Sequence, residues 1–314
     1  MIRYLKHLEI DRVRWDECIS RALNRKVYAF YWYLDQVSPD WEALAEEDYS
    51  SVFPLTRGRK AGIAYLSQPF FAQQLGLFSI HLINAELQQK FIEHIPKKFH
   101  YIDIQLNSGC FQDGEEPGAE RRINHELRLK RLYEDIVSDY SQNTRRNIRK
   151  AWEMGVNTGR NVRIDELVEL FRRNFGAQEG KLKPFHYERL ERLMKECFDK
   201  GQGEIRGAFN EQGILSAAAF LLTDADRIYF LFAASDHLSR ENGAMFLLID
   251  QFIREHAGRS LIFDFEGGNN PNLGRFYKSF GATEAFYHRI VINRLPFLLK
   301  AGLKLKRTMQ KMVK

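Results

Sequence analysis

Cysteine is scarce in this sequence, with three residues, Cys18, Cys110 and Cys197, in a chain of 314. They are odd in number and far apart, and none forms a C-x-x-C pair. Neither a disulfide framework nor a zinc site is therefore predicted. A reducing compartment follows from this pattern, and we expect the protein in the cytoplasm.

Long hydrophobic runs are also missing. No run approaches the ~18 apolar residues that a membrane-spanning helix needs. Charges interrupt the opening segment MIRYLKHLEIDRVRWDE, so a signal peptide is not expected. H-E-x-x-H, G-x-S-x-G and Walker motifs are absent, and the histidines and cysteines do not cluster. The sequence thus predicts no metal and no nucleotide-hydrolase chemistry.

Apolar and aromatic residues are plentiful. Hydrophobic residues make up 44% of the chain, which contains 24 Phe, 13 Tyr and 4 Trp, enough to build a substantial core. The net charge is +6, but residues 289–314 contain eight basic and no acidic residues, which leaves a charge of −2 on the remainder. A fold wrapped around nucleic acid would usually display basic stripes, so the excess is a local feature of the C-terminus.

The order of predicted elements favours an α/β (α+β) fold with two mixed-sheet halves flanked by helices. An aromatic strand is predicted over Val27–Leu34. The second half reads as a helix, a meander, a helix, a strand, a helix and a strand. From this order we predict the following parts: an N-terminal half over 1–140, a basic linker helix over 141–155, a C-terminal half over 156–294, and a basic amphipathic tail helix over 295–314.

The segment Arg227–His256 contains a candidate ligand site. A strand ends in Ala233 and Ala234, and Gly243-Ala244 opens a long apolar helix after a polar loop. Exposed N–H groups at a helix start beside small residues can receive a pyrophosphate. The alternative is an ordinary strand-loop-helix connection.

A second candidate lies in LIFDFEGGNNPNLGRFYKSFGA, residues 261–282. A strand running into two glycines carries Asp264 and Glu266 on one side, and the following short helix bears Tyr277 and Lys278. A carboxylate facing a tyrosine would supply a base and an acid for acyl transfer. The alternative is that the carboxylates cap a turn or face solvent, and that Tyr277 packs in the core.

These segments resemble a known family. GAMFLLIDQFIREHAGRSLIFDFEGGNNPNLGRFYKSFGA resembles the C-terminal half of the GNAT N-acyltransferase superfamily. SDYSQNTRRNIRKAWEMGV resembles the junction signature of the FemAB-like, tandem-GNAT enzymes, and the likeness is clearest over residues 138–290. It implies a tandem GNAT-like fold and transfer of a small acyl group, from acetyl-CoA or another acyl-CoA, to an amine.

The resemblance also implies roles for individual residues. Tyr277 would be the general acid and Glu266 the general base. The donor would be bound by a set of residues around the strand end and the helix start: Ala233, Ala234, Arg240, Gly243 and Ala244. The phosphate loop matches only in part, because Met245 stands where the family has a small residue.

Two other functions stay open. Fem-type enzymes use aminoacyl-tRNA and act on a peptidoglycan precursor, and Lys278 offers a charge to such a donor. A catalytically silent GNAT-fold binding protein at the membrane surface is the other alternative. A covalent mechanism through Cys197 is less favoured, because its neighbours place it on the apolar face of a helix.

The two basic segments have two interpretations each. Arg145 and Arg149 lie on one ridge of the junction helix, where they would bind a phosphate or carboxylate of the substrate or pair with nearby acids. In the tail, apolar and basic residues occupy opposite faces, which is typical of a helix on an anionic membrane or of a terminal helix docked on its domain. The acceptor would be a small-molecule or precursor amine, with Asp264 and Lys278 near it.

Overall fold

The computed structural model describes residues 1–110, 119–176 and 182–296. Packing divides the chain into two compact units, one formed by residues 1–121 with 287–314 and the other by residues 122–286. The domain limits predicted from the sequence come from the order of elements along the chain, whereas these two units are defined by which residues pack together. The predicted tail helix lies outside the described residues from 297 onward. None of the helices in the described ranges has the length and hydrophobicity needed to span a bilayer.

The strands and helices follow one another in short runs along the chain. The strands are β1 Ile2–Leu5, β2 Glu42–Glu46, β3 Ser51–Leu55, β4 Arg57–Lys60, β5 Ile63–Ser67, β6 Phe78–Ser79, β7 Phe99–Leu106, β8 Ala119–Arg128, β9 Asn157–Gly159, β10 Gly203–Phe209, β11 Leu215–Asp224, β12 Arg227–Ser235, β13 Ile262–Asp264 and β14 Thr283–Asn293. The α-helices are α1 Arg12–Arg21, α2 Tyr31–Val37, α3 Ala85–His94, α4 Tyr133–Ser138, α5 Gln142–Glu153, α6 Ile164–Phe171, α7 Pro184–Asp199, α8 His237–Asn242, α9 Ala244–His256 and α10 Pro271–Lys278.

The first unit contains antiparallel and parallel pairings. β1, β2, β3 and β6 form an antiparallel sheet in that order. β4 pairs antiparallel with β5, β5 pairs parallel with β7, and β7 pairs antiparallel with residues 288–293 of β14. Its core joins side chains from both sets of strands with the apolar face of α3, including Phe53, Phe91 and Ile102.

The second unit contains the segments singled out from the sequence. β9, β10, β11 and β12 follow one another as antiparallel neighbours, β13 pairs parallel with β12, and β8 pairs antiparallel with β13. This mixed sheet, flanked by helices, confirms the predicted fold class. The parallel step from β12 to β13 is made by a crossover through α8 and α9.

Helices cover both faces of this sheet because the side chains of its strands alternate. Ala217, Ala219 and Leu221 of β11 join the core cluster that contains α9. The intervening Phe220 faces the other way and contacts Phe198 of α7, with ring centroids 5.9 Å apart.

The aromatic segment Val27–Leu34 was predicted as a strand, and that prediction is wrong. Residues Val27–Ala29 form a 3₁₀ turn and α2 follows. Tyr33, Leu34 and Val37 are buried at helical steps of three and four. A short run that is apolar at nearly every position has no periodicity by which strand and helix can be told apart.

Candidate functional site

β12 and β13 separate shortly after they meet. Among the described residues, β12 pairs with β13 only through Arg227, Ile228 and Tyr229, and β13 ends at Asp264. β12 continues to Ser235. The register against β11 shifts between Phe230 and Phe232, which makes Leu231 a bulge. The backbone of β12 beyond Tyr229 thus has no β13 neighbour, and this gap is the kind of edge to which an extended ligand can bind.

A buried ion pair holds the strands together at the closed end of the gap. Arg227 Nη1 donates to Asp264 Oδ2 and to Glu126 Oε1, each at 2.7 Å. Burial opposes the positive charge of Arg227, but the charges of Asp264 and Glu126 outweigh this effect and raise the pKa of the guanidinium.

Asp264 is completely buried and takes part in three hydrogen-bonding contacts. Besides Arg227, its carboxylate accepts hydrogen bonds from Asn124 Nδ2 at 2.7 Å and from the backbone N–H of Glu266 at 3.0 Å. Asp264, which the sequence predicts to bind substrate, is therefore buried and hydrogen-bonded beneath the loop that follows β13.

The loop after β13 has an unusual backbone. Glu266 has φ of 59°, in the left-handed region that non-glycine residues seldom adopt. Gly268 has φ of 156°, and a Cβ on it would lie 2.4 Å from His125 Nδ1. Only glycine fits this position, because any other side chain would displace the buried imidazole of His125.

Tyr277 of α10 lies beside this loop. Its side chain is 7% exposed and stacks on Phe265, with ring centroids 4.7 Å apart. A Cβ built on Gly267 would be 3.4 Å from the ring and 4.0 Å from the hydroxyl oxygen, so the loop passes directly against the ring. The two predicted acid–base residues are therefore brought together, with Glu266 in the loop and Tyr277 in the neighbouring helix.

Burial raises the pKa of Tyr277, and the negative charge of Glu266 raises it further. The phenol therefore keeps its proton throughout the neutral range. Such a group can donate a hydrogen bond to an atom that becomes negative during a reaction.

The predicted donor-binding residues lie on β12 and at the start of α9. Ala233 is half-buried and Ala234 is buried, and both lie on the part of β12 beyond its pairing with β13. Gly243 has φ of 74°, and a Cβ there would be 2.4 Å from the carbonyl oxygen of Asn147 in α5. The N–H of Ala244 donates to Asn242 Oδ1 at 2.9 Å.

The start of α9 lies between α8 and α10. Arg240 lies in α8, and its side chain is outside the described part of the structure. Phe246, in the first turn of α9, contacts Phe276 of α10, with ring centroids 4.9 Å apart. The start of α9 and the helix that carries Tyr277 therefore pack against each other.

The helix α5 is fixed to the end of α10. Thr144 Oγ1 lies 2.9 Å from the carbonyl oxygen and 2.7 Å from the hydroxyl oxygen of Ser279. Thr144 is completely buried. The junction signature recognised in the sequence therefore helps to hold the helix that carries Tyr277.

The predicted substrate-binding cations have different surroundings. Arg145 donates to the carbonyl oxygens of Val137 and Ser138, at the end of α4. The side chain of Arg149 is exposed and makes no hydrogen bond or ion pair with the residues the structure describes. Lys278 forms an ion pair with Glu284. A surface depression of about 560 Å³ has the following lining residues: Gln142, Asn143, Arg145, Arg146 and Arg149.

Sequence reasoning missed two residues of this site, Asn124 and His125. Both lie in β8, which reaches β13 from more than a hundred residues away in the chain. A single histidine in a polar strand gives no local signal of such a position. The described residues contain no group of histidine, cysteine and carboxylate side chains that would hold a metal ion.

Comparisons with known proteins agree with the resemblance seen in the sequence. Residues 138–279 match the family model described as an acetyltransferase (GNAT) domain. No curated protein matches the sequence. The structure of FemX is similar, with a TM-score of 0.62 and 14% identity over 93% of this chain and 98% of that one.

Two other solved structures are similar over nearly their whole length. A conserved protein of unknown function from Bacteroides thetaiotaomicron has a TM-score of 0.55 and 11% identity, covering 93% of this chain and 99% of that one. L-PGS from Bacillus licheniformis has a TM-score of 0.52 and 9% identity, covering 95% and 96%. At these identities the likeness concerns the fold. Together with the domain model, it shows that residues 138–279 form a GNAT-type acetyltransferase domain in a chain whose fold is similar to that of FemX.

Proposed function

We propose that this protein is an N-acyltransferase that moves a small acyl group from acyl-coenzyme A to an amine by direct attack. The observation that supports it best is that Glu266 directly precedes Gly267, which passes against the ring of Tyr277, in the second unit. The open edge of β12 belongs to the same unit and would receive the donor.

The donor would bind along β12 and at the start of α9. The pantetheine arm would pair with the strand beyond Tyr229, where β13 has left it. A backbone N–H near Ala233 or Ala234 would polarise the thioester carbonyl. The pyrophosphate would lie at the start of α9, with Arg240 as a further cation. To bind it, the N–H groups of Gly243 and Ala244 would give up the carbonyl oxygen of Ser239 and Asn242 Oδ1.

The reaction would be one displacement at the carbonyl carbon. The amine nitrogen forms the new C–N bond and the C–S bond breaks. Glu266, directly or through a water molecule, accepts the proton that the amine loses. Tyr277 donates its phenolic O–H to the departing sulfur and is reprotonated after product release. No covalent enzyme intermediate is needed.

The acceptor would be a small-molecule or precursor amine that carries an anionic group. Arg149 is the strongest candidate to bind that group, because its guanidinium is exposed in the depression on α5. Arg145 would give up its carbonyl contacts to take part, and Lys278 would give up Glu284. Asp264 would act through its neighbour Glu266, whose N–H it accepts.

An assay of free thiol released from acetyl-CoA, run with a panel of amines, tests this function. Glu266→Gln should lower kcat by about 10²–10⁴-fold, the usual contribution of a general base. Glu211→Gln is the matched control, because Glu211 is an exposed carboxylate in the turn between β10 and β11. Equal turnover by the two variants would contradict the role of Glu266.

A second candidate is a Fem-type transferase that uses aminoacyl-tRNA and acts on a peptidoglycan precursor. The arginines that line the depression on α5 favour it, since a polyanionic donor would be attracted to them. Radiolabel passing from charged tRNA to a muropeptide, with steep salt dependence, would support this function over the first. The third alternative, a silent binding protein, predicts no turnover with either donor.

The basic tail is proposed to contact an anionic membrane from the cytoplasmic side. Six basic and no acidic residues over 295–314 support this. Arg289 and Arg294 lie before the tail, and Arg289 forms ion pairs with Asp103 and Glu120. Deletion of residues 297–314 should abolish sedimentation with anionic liposomes. Unchanged sedimentation would contradict the proposal.

A further inference from the structure

Both backbone polar groups of Gly267 are held by two consecutive residues of β8. Its N–H donates to Asn124 Oδ1 at 2.9 Å, and its carbonyl oxygen lies 2.9 Å from His125 Nδ1. Because β13 has already ended at Asp264, side chains of β8 make these hydrogen bonds in place of the backbone pairing between the two strands. One more backbone bond, from Phe265 N–H to the carbonyl oxygen of His125 at 3.0 Å, precedes them.

The imidazole of His125 is fitted closely into this place. Its side chain is buried, with 1% exposure. A Cβ on Gly268 would be 2.4 Å from Nδ1, and one on Gly274 would be 3.3 Å from Cε1. Two glycines, one in the loop and one in α10, thus leave the space that the ring occupies. On a third side the ring of Tyr277 lies 6.0 Å away, centroid to centroid.

The contact with Gly267 fixes which ring nitrogen of His125 carries a proton. A carbonyl oxygen only accepts hydrogen bonds, so Nδ1 must be the donor. Nε2 is buried and has no hydrogen-bond partner among the described residues. A buried acceptor without a partner is unfavourable, whereas the Nδ1–H contact supplies the carbonyl oxygen of Gly267 with a donor. The polar contact that the ring makes here is therefore that of its Nδ1–H.

The two contacts hold the peptide groups on either side of the Gly267 Cα, the first of which joins Gly267 to Glu266. Glu266 directly precedes Gly267 and has the left-handed φ of 59°. Such a conformation persists only when its surroundings hold it. Gly267 also passes against the ring of Tyr277, at the contact described above. Holding both polar groups of Gly267 thus sets the relation between the carboxylate and the phenol.

We propose that His125, together with Asn124, is a positioning residue that holds Glu266 and Tyr277 in their working arrangement. The inference rests on the proposed acyl transfer for its consequence on turnover. Neither side chain touches the substrate in this account; both act through the backbone of Gly267.

Three substitutions of His125 separate the Nδ1–H contact from the rest of the ring. In His125→Asn the amide nitrogen occupies the place of Nδ1 and can still donate to Gly267, whereas in His125→Gln it lies near the place of Nε2. His125→Ala removes both. We expect His125→Ala and His125→Gln to lower kcat by about 10²-fold with little change in KM, as misplacement of a catalytic group does. His125→Asn should restore most of the lost kcat.

The control is His94→Ala. His94 also places its Nδ1 near a backbone carbonyl oxygen, that of Lys90 at 2.6 Å, but it is exposed at the end of α3. This variant should leave kcat unchanged. A His125→Ala variant with wild-type kcat, or equal kcat for the Asn and Gln variants, would overturn the proposal.

An NMR measurement tests the contacts of Asn124 and His125 with Gly267 without any turnover. The ¹⁵N spectrum of the His125 ring should show a protonated Nδ1 and a bare Nε2, and the amide signals of Glu266 and Gly267 should move in His125→Ala and return in His125→Asn. A protonated Nε2 with a bare Nδ1, or amide signals that do not move in His125→Ala, would refute the proposed role of His125. Failure of the proposed function would instead appear as absent turnover in the wild type and in His94→Ala.

Discussion

Tyr277 stacks on Phe265, with ring centroids 4.7 Å apart and ring planes inclined by 25°. Phe265 follows the last residue of β13, and Tyr277 lies in the last turn of α10. The stack fixes the phenol ring at the start of the loop that carries Glu266. The direction of its hydroxyl is therefore set by packing, before any substrate binds.

Tyr277→Phe keeps this stack and removes only the hydroxyl. We expect kcat for acyl transfer to fall by about 10²–10⁴-fold, the range for loss of a general acid, while KM for the donor changes little. Steady-state kinetics with acetyl-CoA measures both constants. Tyr187→Phe, which alters another buried tyrosine in α7, is the control. Undiminished turnover by Tyr277→Phe at every pH would eliminate the acid role.

Thr144→Val should destabilise the second unit. The buried hydroxyl of Thr144 contacts both oxygens of Ser279, and valine leaves these groups without that partner. The free energy of unfolding should fall by about 1–3 kcal/mol, as measured by urea denaturation. Thr158→Val, on the exposed part of β9, should change it by less than about 0.5 kcal/mol. Equal stability of the two variants would contradict the tie between α5 and α10.

The three cysteines should be inert in the folded protein. Cys18, Cys110 and Cys197 are free and buried, and burial raises the pKa of each thiol to about 12. A thiol that keeps its proton at neutral pH is a poor nucleophile. At pH 8 no thiol should react with Ellman's reagent in the native state, and all three should react after denaturation. A rapidly reacting equivalent in the native protein would revive a covalent mechanism.

Glu255 should contribute to stability in a defined range of pH. Hydrogen bonds from Arg206, at 2.7 and 2.6 Å, outweigh the effect of burial and, with Arg160, lower the pKa of Glu255 to about 2. Its contribution is complete above the unfolded pKa of about 4.5 and is lost as the pH falls toward 2. The Tm difference between wild type and Glu255→Gln should therefore be present at pH 7 and shrink below pH 4.5. A constant difference across this range would contradict it.

The sequence predicts much of the second unit because its signals are local. The basic helix expected over 141–155 is observed as α5, and the long helix expected from Gly243 is observed as α9. Turn residues and a clear helical period mark both of these elements. That Tyr277 and Glu266 belong to one site could also be predicted from the sequence, since both lie in one stretch of about a dozen residues.

The rest depends on contacts between distant parts of the chain. Asn124 and His125 reach the loop after β13 only through the pairing of β8 with that strand, and no local pattern specifies this register. The role of Asp264 also depends on residues that are distant in the sequence. Its place in the sequence suggests a ligand-binding carboxylate, but Arg227 and Asn124 already bind it.

Thermal unfolding in the presence of coenzyme A species tests the central claim most directly. Acetyl-CoA, longer acyl-CoA and free coenzyme A would each be titrated against the full chain. A donor present at 100 times its dissociation constant should stabilise the folded state by about 2.7 kcal/mol and raise Tm accordingly. We expect a concentration-dependent rise in Tm with acetyl-CoA or another acyl-CoA. An unchanged Tm with all three ligands would contradict it.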